Sequence, residues 1–219
     1  MKAYQILLGA VSCVALAGPA FAADEDSAPV KRWFVRAGPA GVIYDESAKI
    51  SLGGQEVPGA SVTAKDNFTA EIEAGYFLTP NISVSLTVGA PPTATLKGTG
   101  PLAGLTLGKI TYGPAVAAVQ YHVTAFGPAF RPYVGLGVNY TIVLNNKDGA
   151  VQNLRVKSPV GVTFQGGAET MISDRIGLFV DAKKIILDTT ARGNVGPAPA
   201  SAKIDINPLI VTGGISFHF

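Results

Sequence analysis

His122 and His218 are the only histidines of this 219-residue sequence, and they are its best candidates for acid–base chemistry. A histidine beside a serine or glutamate on a neighbouring strand could activate a nucleophile. The competing interpretation is a histidine held in a buried hydrogen-bond network. Two separated histidines form no metal-ligating cluster, and the glycine-rich stretch 53–59 lacks the strand–glycine–helix context of a phosphate loop. We predict no metal, no cofactor and no enzymatic activity.

Polar and apolar side chains alternate along most of the chain, which is the pattern of β-strands. In the segment 81–88, valine, isoleucine and leucine share one face, and serine, threonine and asparagine share the other. The sequence predicts eight strands, near residues 33–44, 67–78, 81–90, 108–123, 130–144, 156–172, 175–188 and 203–219. The connections are alternately short (79–81, 124–129, 173–174) and long (45–66, 91–107, 145–155, 189–202). This layout predicts an all-β fold: an eight-stranded antiparallel transmembrane β-barrel with short periplasmic turns and longer extracellular loops.

The composition agrees with a membrane barrel and leaves a soluble alternative open. Hydrophobic residues make up 47% of the chain and charged residues 15%, and the mean hydropathy is +0.32. Beyond the first two dozen residues, no apolar run is long enough for a spanning helix. A lipocalin-like barrel or a β-sandwich would show the same alternation with its apolar face inward. The net charge of +2, without basic clusters interleaved with aromatics, argues against a nucleic-acid partner.

Three features favour the membrane barrel. The polar face carries many small residues, which suit a narrow eight-stranded lumen, and it carries few lysines. Aromatic residues stand at the short-turn end of the apolar face, as in an interfacial girdle. These residues are Trp33, Tyr76, Tyr121, Phe130, Phe217 and Phe219. The apolar face is therefore expected to contact outer-membrane lipid.

The first residues indicate export from the cytoplasm. A positive residue, Lys2, precedes the apolar run 6–17 and the small-x-small segment 20–22. We predict two regions, a signal peptide at 1–22 and the barrel at 23–219. A lipidated Cys13 is the alternative interpretation of this segment.

The last strand resembles the C-terminal assembly signal of bacterial outer-membrane proteins. The matching residues are Thr212, Gly214, Phe217 and Phe219. The resemblance implies that the barrel-assembly machinery recognises this strand.

Further motifs are spread over nearly the whole chain after the signal peptide. They are Trp33-Phe34-Val35-Arg36-Ala37-Gly38; Gly75-Tyr76-Phe77-Leu78-Thr79 with Asn81 and Val84; Gln120-Tyr121-His122; Arg131-Pro132-Tyr133-Val134-Gly135 with Gly137, Asn139 and Tyr140; Ser158, Gly161, Gln165 and Gly167; and Asp205, Pro208 and Gly213. Together they resemble the OmpW family of small outer-membrane proteins. The resemblance implies an eight-stranded barrel with a narrow apolar channel for small hydrophobic molecules.

With apolar faces toward lipid, the lower and middle lumen is expected to hold a polar network. Its predicted members are Arg36, Glu71, Glu73, Gln120, His122, Arg131, Gln165, Glu169, Asp181 and Lys183. Charges removed from water persist when they are paired, so we expect Arg36 to face Glu71 or Glu73. Lys183 or Arg131 is expected to face Asp181 or Glu169. Such a network would fill the bore as a plug.

The upper lumen is expected to be apolar and to accept an alkyl chain or a small aromatic molecule. Its predicted lining residues are Val42, Tyr44, Ile110, Tyr112, Val143, Ile185, Leu187, Ile204 and Ile206. Pro39, Pro114, Pro159 and Pro208 each remove a donor from the strand ladder, and they mark candidate weak points in the wall.

The sequence therefore predicts a barrel in the outer membrane of a Gram-negative bacterium that conducts small hydrophobic molecules. The ligand would leave sideways into the bilayer above the plug. Two alternatives remain open at this stage. One is a structural or surface-interaction barrel that displays four loops, and the other is a lipid-modifying enzyme that uses His122.

Overall fold

The computed structural model describes residues 31–219, which form one sheet of 14 strands. The strands are β1 (Trp33–Ile43), β2 (Glu46–Leu52), β3 (Gln55–Glu56), β4 (Ser61–Ala64), β5 (Asn67–Phe77), β6 (Ile82–Gly89), β7 (Thr93–Thr99), β8 (Thr106–His122), β9 (Phe130–Asp148), β10 (Gln152–Val156), β11 (Val160–Met171), β12 (Ile176–Val195), β13 (Ala198–Ile206) and β14 (Leu209–His218). A short 3-10 turn spans Gly100–Leu102. Among the described residues no helix is long and apolar enough to cross a membrane. The predicted signal peptide and Cys13 lie outside the described residues.

Eight strands close the barrel wall, and each is antiparallel to its neighbours. The order around the wall is β1, β5, β6, β8, β9, β11, β12 and β14, and β14 pairs back with β1. Backbone hydrogen bonds of 3.0 Å join Trp33 and Phe219 in both directions at this last seam. The predicted eight-stranded barrel is confirmed.

The apolar face of the strands points outward. On β6, Leu86 is 55% exposed whereas Ser83 is fully buried inside the barrel. The same alternation continues along β9, where Val134, Leu136 and Val138 are all exposed. A soluble barrel would bury this face, so the lipocalin-like and sandwich alternatives do not describe the fold.

The four long connections are built largely from strands that extend the wall upward. β2 and β13 pair over seven residue pairs, from Glu46–Ile206 to Leu52–Ala200. β4 pairs with β7, and β10 pairs with β12. Gly53 and Gly54, with φ of +60° and +85°, form the tight turn between β2 and β3. The barrel therefore projects well beyond its lipid-facing band.

Two predicted strands are each divided in the structure. The predicted strand 156–172 divides into the end of β10 and β11, with Pro159 between them, and 203–219 divides into part of β13 and β14, with Pro208 between them. Proline has no backbone N–H, so it cannot continue a ladder. Each division falls where the wall passes into the extension.

The predicted aromatic girdle faces outward at the short-turn end. The rings of Trp33 and Tyr76 contact edge to face with centroids 4.9 Å apart, and Phe217 and Phe219 lie 5.8 Å apart. Gly214 has a packing role nearby, because an added Cβ would lie 2.1 Å from the carbonyl oxygen of Ala37. This glycine therefore lets β14 approach β1 closely.

Candidate functional site

Arg36 stands at the centre of a polar plug in the lower lumen. Its side chain is fully buried, with Nη2 3.0 Å from Glu169 Oε2 and Nη1 3.5 Å from Glu73 Oε2. Its guanidinium carbon lies 4.4 Å from the ring centroids of both Phe34 and Tyr133. Two carboxylates and two aromatic faces therefore compensate one buried cation.

A second buried ion cluster, around Lys183, lies above the first. Lys183 Nζ is 2.6 Å from Asp181 Oδ1 and 3.2 Å from Glu71 Oε2. Thr212 donates its hydroxyl to Glu71 at 2.8 Å, and Tyr133 donates to Asp181 at 2.8 Å. Because Tyr133 touches both clusters, the plug is one continuous network.

Nine of the ten residues predicted for the polar network lie buried in the lumen. The expected partners Arg36–Glu73 and Lys183–Asp181 are present. Arg131 is an exception, since it is half-buried near the short-turn end and forms no ion pair within residues 31–219. The reason is that Glu169, opposite Arg131 in the ladder, turns instead to Arg36 and to His218, whose Nε2 lies at 2.7 Å.

An aromatic layer lies at the short-turn end of the lumen, and of its members the sequence had placed only His122 in the predicted network. Phe34, Phe77, His122, Tyr133 and His218 are all buried there. The rings of Phe77 and His122 lie 4.8 Å apart, and those of Phe34 and His218 lie 5.9 Å apart. The alternation of β1 could have predicted one member of this layer, because Phe34 is two residues from Arg36 and therefore shares its inward face. This layer fills the bottom of the lumen.

His122 does contact a hydroxyl, but at a sealed position. Its Nε2 lies 2.9 Å from Ser83 Oγ, and both side chains are fully buried within the plug. A nucleophile at this position would have no path to a lipid substrate. Within residues 31–219 no group of three or more His, Cys, Asp or Glu could hold a metal ion.

An apolar cavity of about 80 Å³ lies directly above the plug. All nine residues predicted for the upper lumen line it: Val42, Tyr44, Ile110, Tyr112, Val143, Ile185, Leu187, Ile204 and Ile206. The hydroxyls of Tyr44 and Tyr112 hydrogen-bond to each other across it. Glu71, whose carboxylate is held by Lys183 and Thr212, contributes to the floor. We call this space the inner chamber.

A second apolar cavity, of about 120 Å³, lies higher in the extension. Apolar side chains of the extension form most of its lining, including Leu102, Leu107 and Leu154. Val62, Leu96 and Ile204 line both cavities. These three side chains therefore form a constriction between this outer chamber and the inner chamber.

The wall beside the inner chamber has a weak seam between β5 and the segment 90–93. The backbone bonds between β5 and β6 end at the 2.8 Å bond from the Ala90 N–H to the Ala70 carbonyl. Beyond it, side chains bridge the gap: Thr69 Oγ1 donates to the Ala90 carbonyl at 2.7 Å, and Asn67 Nδ2 donates to the Thr93 carbonyl at 3.3 Å. Pro91 and Pro92 occupy this gap. We call it the β5 seam.

Prolines line the inner chamber on several sides. Pro114, Pro159 and Pro208, which the sequence marked as weak points, are joined there by Pro92, which it did not mark. Pro39 lies instead on an outward-facing groove with Phe68, and Thr69 and Glu71 line both that groove and the inner chamber. Only the strand wall separates the chamber from the lipid side at this place.

The family is established by comparison with known proteins. The sequence model of the OmpW family matches residues 32–219. The chain belongs to the OmpW family. The dibenzothiophene metabolism operon protein PahQ of Pseudomonas aeruginosa is 36% identical over 187 residues, covering 85% of this chain and 88% of PahQ. Outer membrane protein AlkL of Ectopseudomonas oleovorans is 31% identical over 178 residues, covering 81% of this chain and 77% of AlkL.

Solved structures of other outer-membrane proteins support the same architecture. The solid-state NMR structure of AlkL in lipid bilayers has a TM-score of 0.69 at 28% identity and covers 92% of this chain and 96% of AlkL. The crystal structure of OprG from Pseudomonas aeruginosa has a TM-score of 0.79 at 22% identity, covering 86% and 96% of the two chains, and shows the shared fold. This OmpW-family protein is an outer-membrane β-barrel, with its short turns toward the periplasm and its extension toward the outside.

Proposed function

We propose that this barrel carries small hydrophobic molecules from the outside into the outer membrane. A ligand would enter the outer chamber, pass the constriction of Val62, Leu96 and Ile204, and reach the inner chamber. It would then leave sideways through the β5 seam into the bilayer. The observation that carries this proposal is an apolar chamber that ends on a filled plug beside a seam bridged by side chains.

The plug supports lateral exit over passage straight through the barrel. Arg36, Glu73, Glu169 and Lys183 are almost completely buried, and each has an oppositely charged partner. Opening an axial path would separate buried ion pairs, which costs several kcal/mol per pair. Parting the β5 seam breaks only two side-chain hydrogen bonds beyond Ala90, at roughly 0.5–1.5 kcal/mol each.

The lining of the chambers supports an apolar ligand. Aliphatic side chains dominate both chambers, and the tyrosine hydroxyls of the inner chamber satisfy each other. The name of PahQ connects that relative with dibenzothiophene, a fused aromatic compound. We therefore propose fused aromatic molecules of this kind as ligands of the present barrel.

The direct test places two carboxylates in the inner chamber. In an Ile206→Glu plus Leu187→Glu variant, uptake of dibenzothiophene should fall at least fivefold, because an apolar ligand cannot compensate charged groups that need water. Uptake is followed by fluorescence in proteoliposomes whose outer leaflet contains lipopolysaccharide.

The matched control places the same two charges outside the lumen. Ser47→Glu plus Thr63→Glu alters exposed positions of β2 and β4 that line neither chamber. Uptake by this variant should equal that of wild type. Wild-type uptake no faster than in protein-free liposomes, with the barrel folded, would refute the transport function.

We also propose that the barrel-assembly machinery recognises β14. Phe217 and Phe219 face outward, next to the seam with β1, where a recognition partner could reach them before closure. Phe217→Ser plus Phe219→Ser should lower the folded barrel in the outer membrane about tenfold, while refolding in detergent is retained. Replacing Tyr121 and Phe130, girdle residues outside β14, serves as the control. Equal losses in both variants would assign the effect to the girdle rather than to recognition.

A further inference from the structure

The outward face of the extension carries an uncompensated group of lysines on β7, β8 and β9. Lys109 of β8 lies directly opposite Lys147 of β9 in the ladder, and both are exposed. Lys97 of β7 is two residues beyond Thr95, the partner of Lys109, and is also exposed. We call these three residues the lysine triad. Like charges that face each other directly across strands destabilise a sheet.

None of the ion pairs within residues 31–219 involves the triad, and the neighbouring Asp148 directs its carboxylate to the backbone N–H groups of Asn153 and Leu154. No carboxylate of residues 31–219 lies within 4.0 Å of these three ammonium groups. The next outward row toward the lipid band is Thr93, Thr111 and Asn145, which carry hydroxyl and amide groups but no charge. The surface therefore combines three cations with several neutral hydrogen-bonding groups.

A second lysine pair, on the other side of the barrel, differs from the triad in the row of residues beside it. Lys49 of β2 lies directly opposite Lys203 of β13. Asp205 stands two residues from Lys203 on the same outward face, and it lies opposite Asp188 of β12. This pair has carboxylates in the adjacent row, whereas the lysine triad has none.

The height of the triad places it at the membrane surface. On β9 the exposed apolar residues run from Val134 to Leu144, and Lys147 follows three residues later. Three residues of strand span about 10 Å, so the ammonium groups stand at the level of lipid headgroups. The anionic groups nearest to such a position belong to the outer leaflet.

We propose that the lysine triad binds the phosphate groups of an anionic glycolipid of the outer leaflet. Lysine is a flexible point charge that suits phosphate oxygens, and the neighbouring threonines add hydroxyl donors. One phosphate between Lys109 and Lys147 would replace a like-charge repulsion with two attractions. This site is separate from the lumen and does not depend on the transport function.

Binding of diphosphoryl lipid A tests the proposal, with monophosphoryl lipid A as the comparison lipid. Both are measured with the purified barrel in phosphatidylcholine nanodiscs. The variant Lys109→Gln plus Lys147→Gln, with or without Lys97→Gln, should bind the diphosphoryl lipid at least about tenfold more weakly than wild type. The difference in affinity between wild type and variant should be smaller for monophosphoryl lipid A than for diphosphoryl lipid A. It should also become smaller when the salt concentration is raised.

Lys49→Gln plus Lys203→Gln is the control for Lys109→Gln plus Lys147→Gln, because each variant removes two charges from a cross-strand lysine pair, and the control should bind within about twofold of wild type. A folded-barrel gel shift verifies that all variants keep the fold. Equal losses in the two double variants would overturn the proposal, because the effect would then be a general one of net charge. Inorganic phosphate that binds the triad as tightly as the lipid does would also overturn it, since the ligand would then be free phosphate.

Discussion

In a Phe68→Cys plus Thr93→Cys variant, a short bifunctional thiol crosslinker is expected to reduce dibenzothiophene uptake to that of protein-free liposomes. The two residues are exposed on opposite sides of the β5 seam, which only side-chain hydrogen bonds close beyond Ala90. A covalent bridge would prevent the parting of the seam that lateral release needs. Residues 31–219 contain no cysteine, so the two introduced thiols are the only ones in the described part of the chain. The variant is crosslinked in detergent and reconstituted into liposomes, and its uptake is compared with that of the same variant reconstituted without the crosslinker.

The control bridge is placed on a seam that the backbone already closes. Val138 and Val162 are opposite each other on β9 and β11, and both face lipid. Crosslinking Val138→Cys plus Val162→Cys should leave uptake unchanged. Full uptake by a barrel with a crosslinked β5 seam would show that the ligand leaves elsewhere. The Ile206→Glu plus Leu187→Glu variant would still test whether the ligand enters the inner chamber.

Replacing Arg36 with methionine is expected to destabilise the barrel by about 3–5 kcal/mol. The substitution leaves the buried carboxylates of Glu73 and Glu169 without the cation between them. It also removes the charge that stacks on Phe34 and Tyr133. The free energy of unfolding in urea, measured in detergent micelles, gives the loss.

Arg131→Met is the matched control, because it removes the same side chain from a half-buried position without an ion pair in the described structure. Its free energy of unfolding should stay within about 0.5 kcal/mol of wild type. Adding Glu73→Gln and Glu169→Gln to Arg36→Met should recover part of the loss, since it removes the unpaired charges. Equal losses for the two arginine variants would contradict a central role for Arg36.

The inward and outward faces of the strands could be predicted well from local sequence. Side chains alternate with a period of two, so a residue such as Arg36 or Ile185 is assigned to the lumen once the apolar face is assigned to lipid. The inner chamber followed from the same parity, and all nine residues predicted for it line one cavity. The register of β8 and β9 shifts by one residue, because Tyr112 is opposite Val143 whereas Thr111 is opposite Asn145. The shift did not disturb this set, because Val143 precedes it on β9.

Contacts across the lumen could not be predicted in this way. Arg36 and Glu169 lie on β1 and β11, which are not neighbours in the wall, so no ladder register brings them together. The pairing of Glu169 with Arg36 and His218 also explains why Arg131, opposite Glu169 in the ladder, forms no ion pair within the described residues. Similarly, the β5 seam arises where Pro91 and Pro92 end the backbone pairing of β5. The sequence shows that prolines are present, but it does not show that the weak place lies at these two rather than at Pro39.

The sequence by itself determined the strand class, the alternating segments and the division of the polar-face positions into a charged part and an apolar part, and it favoured the side that faces lipid. These properties depend on the order of polar and apolar side chains along each strand, because each side chain is sorted by its own preference for lipid or for a polar surrounding. The tertiary structure decided which charges pair, where the wall is weak, how far the barrel extends and which lysines stand together. Those properties depend on closure of the sheet, which fixes distances between residues more than 100 positions apart in the chain, such as Arg36 and Glu169.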